Sequence, residues 1–189
     1  MMRIISGNFK GKKIYEPKDT KTRPLKDLTK ESIFNIIKHS NKLNINLENS
    51  IVLDLFSGVG SFGIECLSRG AKKVFFIENY KEVLFILKKN LDNLQSINNY
   101  EIIEKDIYNE NTLSKLNIKF NIIFLDPPYK DENLDKILSE IMKNNLLTKN
   151  GVIIIHRHKN SEHIFSPNIR VLEEKKYGIS KIFFLSCLN

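Results

Sequence analysis

The sequence predicts an α/β protein built on a mostly parallel sheet covered on both faces. Three observations predict it. From residue 51 onward, short apolar runs of strand length alternate with amphipathic helical stretches. The first of these runs passes through Asp54 into a small-residue turn holding Ser57, Gly58 and Gly60, and a helical pattern then carries Phe62, Ile64, Cys66 and Leu67. Strand, glycine turn and helix form the unit in which bare backbone can approach a nucleoside-bearing ligand. Third, the last two apolar runs are separated only by Tyr177-Gly178-Ile179, a turn short enough for antiparallel pairing. Seven strands are expected in this sheet, the C-terminal one antiparallel.

At the N-terminus, Arg3-Ile4-Ile5, a loop over 6–11 with two glycines, and Lys12-Lys13-Ile14-Tyr15 read as a hairpin that Pro17 terminates. Thr22-Arg23-Pro24 is expected to be extended, because proline disfavours helix in the residue before it. Residues 28–37 read as a helix with Ile33, Phe34, Ile36 and Ile37 as its apolar stripe and Thr29 as its N-cap. A polar, asparagine-rich connector over 39–50 follows. Strands are then expected at 51–55, 73–78, 101–105, 120–125, 151–156, 169–176 and 180–187. Helices are expected at 59–69, 80–95, 109–117 and 132–144, the second carrying Val83, Leu84, Leu87 and Leu91 at core spacing. This divides the chain into an N-terminal extension, 1–40, and a main domain, 41–189.

With 189 residues, 41% of them hydrophobic, the chain can bury a substantial core without disulfides. No apolar run reaches the ~18 residues that span a bilayer, and the first residues lack a signal-peptide pattern. A cytoplasmic protein is expected, with Cys66 and Cys187 as reduced core thiols. The net charge is +8, and its location matters more than its sum. Residues 1–30 hold nine basic groups (Arg3, Lys10, Lys12, Lys13, Lys18, Lys21, Arg23, Lys26, Lys30) against Glu16, Asp19 and Asp27, a net +6 that leaves only +2 for the rest. A basic N-terminal face points to a polyanionic partner; a solvated lysine-rich surface is the alternative.

In an open parallel sheet, ligands sit beyond the carboxyl ends of the strands. Asp54, Glu78 and Asp106 fall at such ends. Glu78 could accept hydrogen bonds from both hydroxyls of a ribose, Asp106 from an adenine amino group, and Asp54 could hold an amino acid moiety. Gly58-Val59-Gly60-Ser61-Phe62-Gly63, with Glu78 following, also satisfies the spacing of a dinucleotide-binding turn. S-adenosylmethionine is favoured over NAD, because Asp54 would set a carboxylate against a pyrophosphate. The glycine motif also begins only after residue 50, late for a dinucleotide fold.

The remaining reason is Asp126-Pro127-Pro128-Tyr129, at the end of an apolar run. Two prolines fix two φ angles and remove two donors, leaving a stiff corner rich in acceptors. The Asp126 carboxylate and the Pro127 carbonyl could accept from an exocyclic amino group. Such an amine is a poor nucleophile, and acceptors on its hydrogens absorb the positive charge that builds as a methyl group arrives. Tyr129 offers a flat face for an unstacked base. A proline-rich turn with a surface tyrosine is the bland alternative.

With these residues in view, the chain resembles the class I S-adenosylmethionine-dependent methyltransferases that modify amino groups. More narrowly it resembles the RsmD family of bacterial 16S ribosomal RNA guanine-N2 methyltransferases. The resemblance spans nearly the whole chain. It is carried by the stretch from Arg3 to Lys13, by Thr22-Arg23-Pro24 ahead of Glu31-Ser-Ile-Phe-Asn35, and by the stretch from Asp54 to Glu65. Ser68-Arg-Gly-Ala71, the Asp-Pro-Pro-Tyr corner and Tyr177-Gly178 complete it. It implies a Rossmann-like methyltransferase fold in which Asp54, Ser57, Gly58, Gly60, Glu78, Asp106 and Ile107 hold the cofactor. Asp126, Pro127, Pro128 and Tyr129 would engage the target guanine, position 966 in conventional rRNA numbering. Arg3, Lys10, Lys12, Lys13 and Arg23 would contact RNA. The implied partner is 16S rRNA or the 30S subunit, free or part-assembled, with the protein a monomer. The chain departs from the family at Leu28, where an arginine is expected, and at Ile179, where an acidic residue is expected. An adenine-N6 methyltransferase of DNA or RNA, or a non-catalytic RNA-binding assembly factor on the same fold, are the competing readings. His156 and His158 share one face of an expected strand, with His163 nearby. No cysteine or carboxylate pair joins them, so no metal is expected.

Overall fold

The computed structural model describes residues 2–17, 25–95, 97–128 and 130–188. Along the chain, β1 (Met2–Arg3) and β2 (Lys13–Ile14) precede α1 (Asp27–His39). Then come β3 (Ile51–Leu55), α2 (Ser61–Ser68), β4 (Lys73–Glu78), α3 (Lys81–Asp92), β5 (Tyr100–Glu104) and α4 (Glu110–Ser114). The chain closes with β6 (Phe120–Leu125), α5 (Leu134–Lys143), β7 (Leu147–His158), β8 (Ile169–Tyr177) and β9 (Ser180–Cys187). Seven strands form one sheet in the order β5-β4-β3-β6-β7-β9-β8. β3 to β7 are parallel, and β9 runs antiparallel between β7 and β8. The chain reverses its direction of growth across β3, with β4 on one side and β6 on the other. This is the switch point where α/β sheets open a crevice.

The central strands are apolar at nearly every position because both of their faces are covered. Val52, Phe76, Phe124 and Ile154 face one way and pack with residues of the hairpin and of α1, α2 and α3. Leu53, Phe75, Ile123 and Ile153 face the other way and pack against Ile137, Leu138 and Ile141 of α5. On the first face, Phe62 of α2 stacks between Phe34 of α1 and Phe124 of β6, with ring centroids 5.2 and 4.0 Å apart.

The N-terminal hairpin is fastened to the sheet's helices through a buried carboxylate. The Ile5 and Ser6 N–H groups donate to the two Glu65 oxygens at 2.8 and 2.9 Å. Arg69 Nε donates to the same carboxylate at 2.8 Å, and Lys30 Nζ lies 3.6 Å away while donating to the Arg3 carbonyl at 2.9 Å. Tyr15 and Asn90 exchange two further hydrogen bonds, at 2.7 and 3.1 Å.

Several expectations are corrected. Lys30 is not part of an exposed basic face: its exposure is 0%, and burial lowers its pKa against the pull of Glu65 and Asp27. Thr29 does not cap α1. The cap position is Lys26, with no side-chain cap, and Thr29 is buried in the first turn with its hydroxyl 3.5 Å from Ser180 Oγ. That tertiary contact takes the hydroxyl that capping would have used. α2 begins at Ser61 rather than 59, because Gly60 is left-handed. α3, α4 and α5 are each a few residues shorter than expected at their ends. β7 is twelve residues long: at its start Leu147 pairs with Phe120 of β6, and at its end Arg157 and His158 pair with Lys181 and Ser180 of β9. Thr22-Arg23-Pro24 and Tyr129 lie outside the described residues. Among the described residues, no helix is long and apolar enough to cross a membrane.

Candidate active site

Four carboxylates stand at the carboxyl ends of four neighbouring strands. In sheet order they are Asp106 after β5, Glu78 at the end of β4, Asp54 in β3 and Asp126 after β6. All four line one cavity of about 520 Å³, a size suited to a nucleoside-bearing ligand. The apolar walls come from Leu25, Phe56, Val59, Phe62, Ile107 and Phe124.

Asp54 is 1% exposed. Its Oδ2 accepts the Gly63 N–H at 2.9 Å, while its Oδ1 is buried with no hydrogen-bond partner among the described residues. Burial pushes this carboxyl well above the usual carboxylate range; the Gly63 N–H opposes the shift and the negative Asp126 and Glu78 add to it. Ser57 Oγ, on the same wall, is a second buried polar atom without a hydrogen-bond partner among the described residues. Glu78 is held on both oxygens: Oε2 accepts the Gly58 N–H at 2.8 Å, and Oε1 those of Asn79 and Tyr80 at 2.9 Å. A carboxylate has about four acceptor sites, so it retains capacity toward the cavity. Asp106 is exposed, and its Oδ1 accepts the Tyr108 N–H at 2.9 Å.

The two glycines of the turn do different things. A Cβ on Gly58 would meet only the Phe56 carbonyl, 4.0 Å away, so this wall is bare backbone. A Cβ on Gly60 would lie 2.4 Å from Leu87 Cδ1, and Gly60 does not line the cavity. Gly60 thus makes room for α3 rather than for a ligand.

Asp126 closes the other end of the cavity. Its side chain is 19% exposed, and its Oδ1 lies 2.8 Å from His156 Nδ1. Pro127 and Pro128 continue the lining. The loop after them is clamped by Arg157, which donates to the Pro128 carbonyl at 3.1 Å and to the Asp131 carbonyl at 2.9 Å. The Tyr108 hydroxyl bonds Asp131 Oδ2, joining this loop to the one that carries Asp106.

The structure therefore gathers Asp54, Ser57, Gly58, Glu78, Asp106, Ile107, Asp126, Pro127 and Pro128 around one cavity. Arg3, Lys10, Lys12 and Lys13 do not line it. Their hairpin is attached at the far end of α2, through Ser68, roughly 12 Å along that helix from the cavity. Arg3, Lys10 and Lys13 are exposed, whereas Lys12 is half-buried and donates to the Asn93 carbonyl at 3.0 Å. His163 bonds Asp135 at 3.0 Å and packs on Phe165. Sequence reasoning missed Phe56, Tyr80, Tyr108 and Asp131, and saw Arg157 only as an alternative RNA-facing residue, not as the clamp of this loop. Phe56 has φ +58°, a conformation that a phenylalanine does not advertise, and the others lie just beyond the motifs already found.

The family described as Conserved hypothetical protein 95 matches residues 2–186. The "Ribosomal RNA small subunit methyltransferase D" of Buchnera aphidicola (subspecies Baizongia pistaciae) is 34% identical over 188 residues, covering 100% of this chain and 92% of the relative. A Haemophilus influenzae protein of known structure, HI0767, superimposes with a TM-score of 0.76 at 34% identity, covering 99% of this chain and 98% of the other. The yhhF protein of Escherichia coli superimposes with a TM-score of 0.82 at 26% identity, covering 98% and 97%. The sheet order and the paired C-terminal strands are those of the class I methyltransferases. From the hairpin to β9, the chain belongs to the Conserved hypothetical protein 95 family, the RsmD family that its motifs resemble.

Proposed function

We propose that this protein transfers a methyl group from S-adenosylmethionine to the exocyclic N2 of a guanine in 16S ribosomal RNA, the position numbered 966 by convention. The observation that carries this reading is Asp126, at the end of β6, facing the same cavity as the buried, unpartnered Asp54 Oδ1. The cavity at Asp54 suits a cationic amino acid moiety, and at Asp126, on the neighbouring strand, it suits an amine. S-adenosylmethionine is the cofactor, and when bound it supplies an electrophilic methyl group. Asp54 Oδ1 and Ser57 Oγ are the buried atoms that its polar groups would satisfy. Glu78 accepts the ribose hydroxyls, Gly58 lets the backbone approach, and Asp106 and Ile107 flank the adenine. Asp126 and the Pro127 carbonyl accept the hydrogens of the target amine. The nitrogen lone pair is thereby freed from the base, and the charge that develops on transfer falls beside a carboxylate.

Residues 1–40 act as the RNA-binding extension of the methyltransferase domain, 41–189. The exposed Arg3, Lys10 and Lys13 reach phosphates, as does Arg23. The protein acts in the cytoplasm as a monomer on the 30S subunit or its assembly intermediates. Incubation with labelled S-adenosylmethionine and unmodified 30S subunits, naked 16S RNA or DNA, followed by mapping of the labelled nucleotide, tests this. Label on the N2 of one 16S guanine is expected. Label on adenine N6 in either nucleic acid would replace the reading, and no transfer at all would leave an RNA-binding factor.

A further inference from the structure

Asp126 does not stand alone at the cavity wall. His156 Nδ1 lies 2.8 Å from its Oδ1, and His156 Nε2 lies 2.8 Å from Ser180 Oγ. Ser180 Oγ in turn receives the Thr29 hydroxyl at 3.5 Å. These side chains come from β7, β9 and α1, and all but Asp126 are buried. Strand alternation puts them together: Ile154 and Ile182 face the α1 side of the sheet, and His156 and Ser180 are two residues from each.

The direction of the chain follows from its end. An ionised carboxylate only accepts, so the hydrogen on His156 belongs to Nδ1. With the imidazole neutral, Nε2 is the acceptor, Ser180 donates to it, and the Ser180 oxygen is left to accept from Thr29. Each group donates toward Asp126, and each bond polarises the next.

We propose that His156 is a positioning residue for methyl transfer: with Ser180 and Thr29 behind it, it holds Asp126 Oδ1 so that Oδ2 is presented to the target amine. This rests on the role given to Asp126 above. The relay fixes the carboxylate plane, which two-fold rotation about its last torsion would otherwise leave loose. It also keeps one oxygen occupied, so that the amine meets a single defined acceptor. The proton released by the methylated nitrogen passes to Oδ2 and from there to solvent, with which the part-exposed Asp126 side chain is in contact. His156 itself neither gains nor loses a proton in this step.

The test uses the full chain, S-adenosylmethionine and unmodified 30S subunits. kcat, KM for 30S, cofactor Kd and Tm are measured for His156→Phe, His156→Asn, Asp126→Ala and the Asp126→Ala/His156→Phe double variant. His156→Phe removes both hydrogen bonds while filling the space. It should lower kcat by about 10–100-fold, the scale of a misplaced reacting group, and leave KM and Kd within about twofold. His156→Asn, whose amide can donate from the Nδ1 position, should recover most of the lost rate. The double variant should be no slower than Asp126→Ala alone, because the histidine acts only through Asp126. A residue that merely stabilises the fold would instead add its loss to that of Asp126→Ala and gain nothing from asparagine. Undiminished kcat in His156→Phe, with Asp126→Ala inactive, would overturn the positioning role and leave the proposed function standing. Full transfer by Asp126→Ala would overturn both. If His156→Phe does not fold, Ser180→Ala reads the same relay from one bond further back, with a loss of about 3–10-fold in kcat at unchanged KM expected. An unchanged rate there would overturn the proposal.

Discussion

The Gly63 N–H donates to Asp54 Oδ2 at 2.9 Å, tying the first turn of α2 to the strand before it and leaving Oδ1 of the same carboxylate buried and unsatisfied. Unsatisfied buried acceptors cost roughly 1–3 kcal/mol each, a cost that a ligand donating to Oδ1 removes.

Asp54→Asn should therefore weaken S-adenosylmethionine binding and change how stability depends on pH. Burial holds the Asp54 carboxyl above its unfolded value. Its contribution to stability is fully present below the unfolded value, ~3.9, and is lost as pH rises through the folded value. The asparagine variant lacks that loss. Measured without cofactor from pH 5 to pH 8, the Tm of the wild type should fall relative to the variant by a few degrees, at about 2–4 °C per kcal/mol for a chain of this size. A pH-independent gap between the two would mean that Asp54 is already ionised in the folded protein at pH 5, its pKa not raised by burial.

Glu78 holds three backbone N–H groups, those of Gly58, Asn79 and Tyr80, in the turns after β3 and β4. Glu78→Gln should keep part of that scaffold yet lose charge toward the ribose, raising cofactor Kd about tenfold, the worth of one charge-assisted hydrogen bond. Glu78→Ala should cost more and should also lower Tm. Isothermal titration with S-adenosylhomocysteine separates the two, and a normal Kd in Glu78→Ala would remove Glu78 from the ribose.

Tyr108 links the loop that carries Asp106 to the loop that follows Asp126 through Asp131. Burial and then the hydrogen bond to Asp131 push its phenol up, so it stays protonated and donates throughout the neutral range. Tyr108→Phe should raise KM for 30S about fivefold, the value of one hydrogen bond of ~1 kcal/mol, with cofactor Kd changed less. Equal effects on both would place the link in cofactor binding instead.

The exposed hairpin lysines give a salt-dependence test. Lys12 is engaged with the Asn93 carbonyl, so Lys10 and Lys13 are the pair to change. Their joint replacement by alanine should weaken RNA binding and reduce the log–log salt slope by up to about 0.7–0.9 for each phosphate no longer neutralised. Cofactor affinity should not move. An unchanged slope would shift the RNA surface away from the hairpin.

Much of this was legible in the residues themselves. Strands β3, β4, β6 and β9 fell where apolar runs of strand length lay, and Asp54, Glu78 and Asp126 stood out as charges at the ends of such runs. What the sequence hid was set by contacts between distant elements. Thr29 had the chemistry of a cap, but Ser180, 151 positions away, took its hydroxyl. His156 and Arg157 broke the apolar run of β7 and so concealed that the strand continues against β9. Lys30 counted as surface charge until Glu65 of α2 came to lie beside it in the interior.

The Glu65 carboxylate has a practical corollary for handling the protein. It is wholly buried and satisfied by Ile5, Ser6, Arg69 and Lys30, two of those partners being backbone groups of the hairpin loop. Trimming the chain from its start would strip two donors from an interior anion and uncover it. A chain lacking Ile5 and Ser6 would be destabilised as well as stripped of its hairpin, so it is a poor reporter of RNA affinity. During synthesis the first segment leaves the ribosome well before α2, and it has no place to dock until residues near 69 have followed it out.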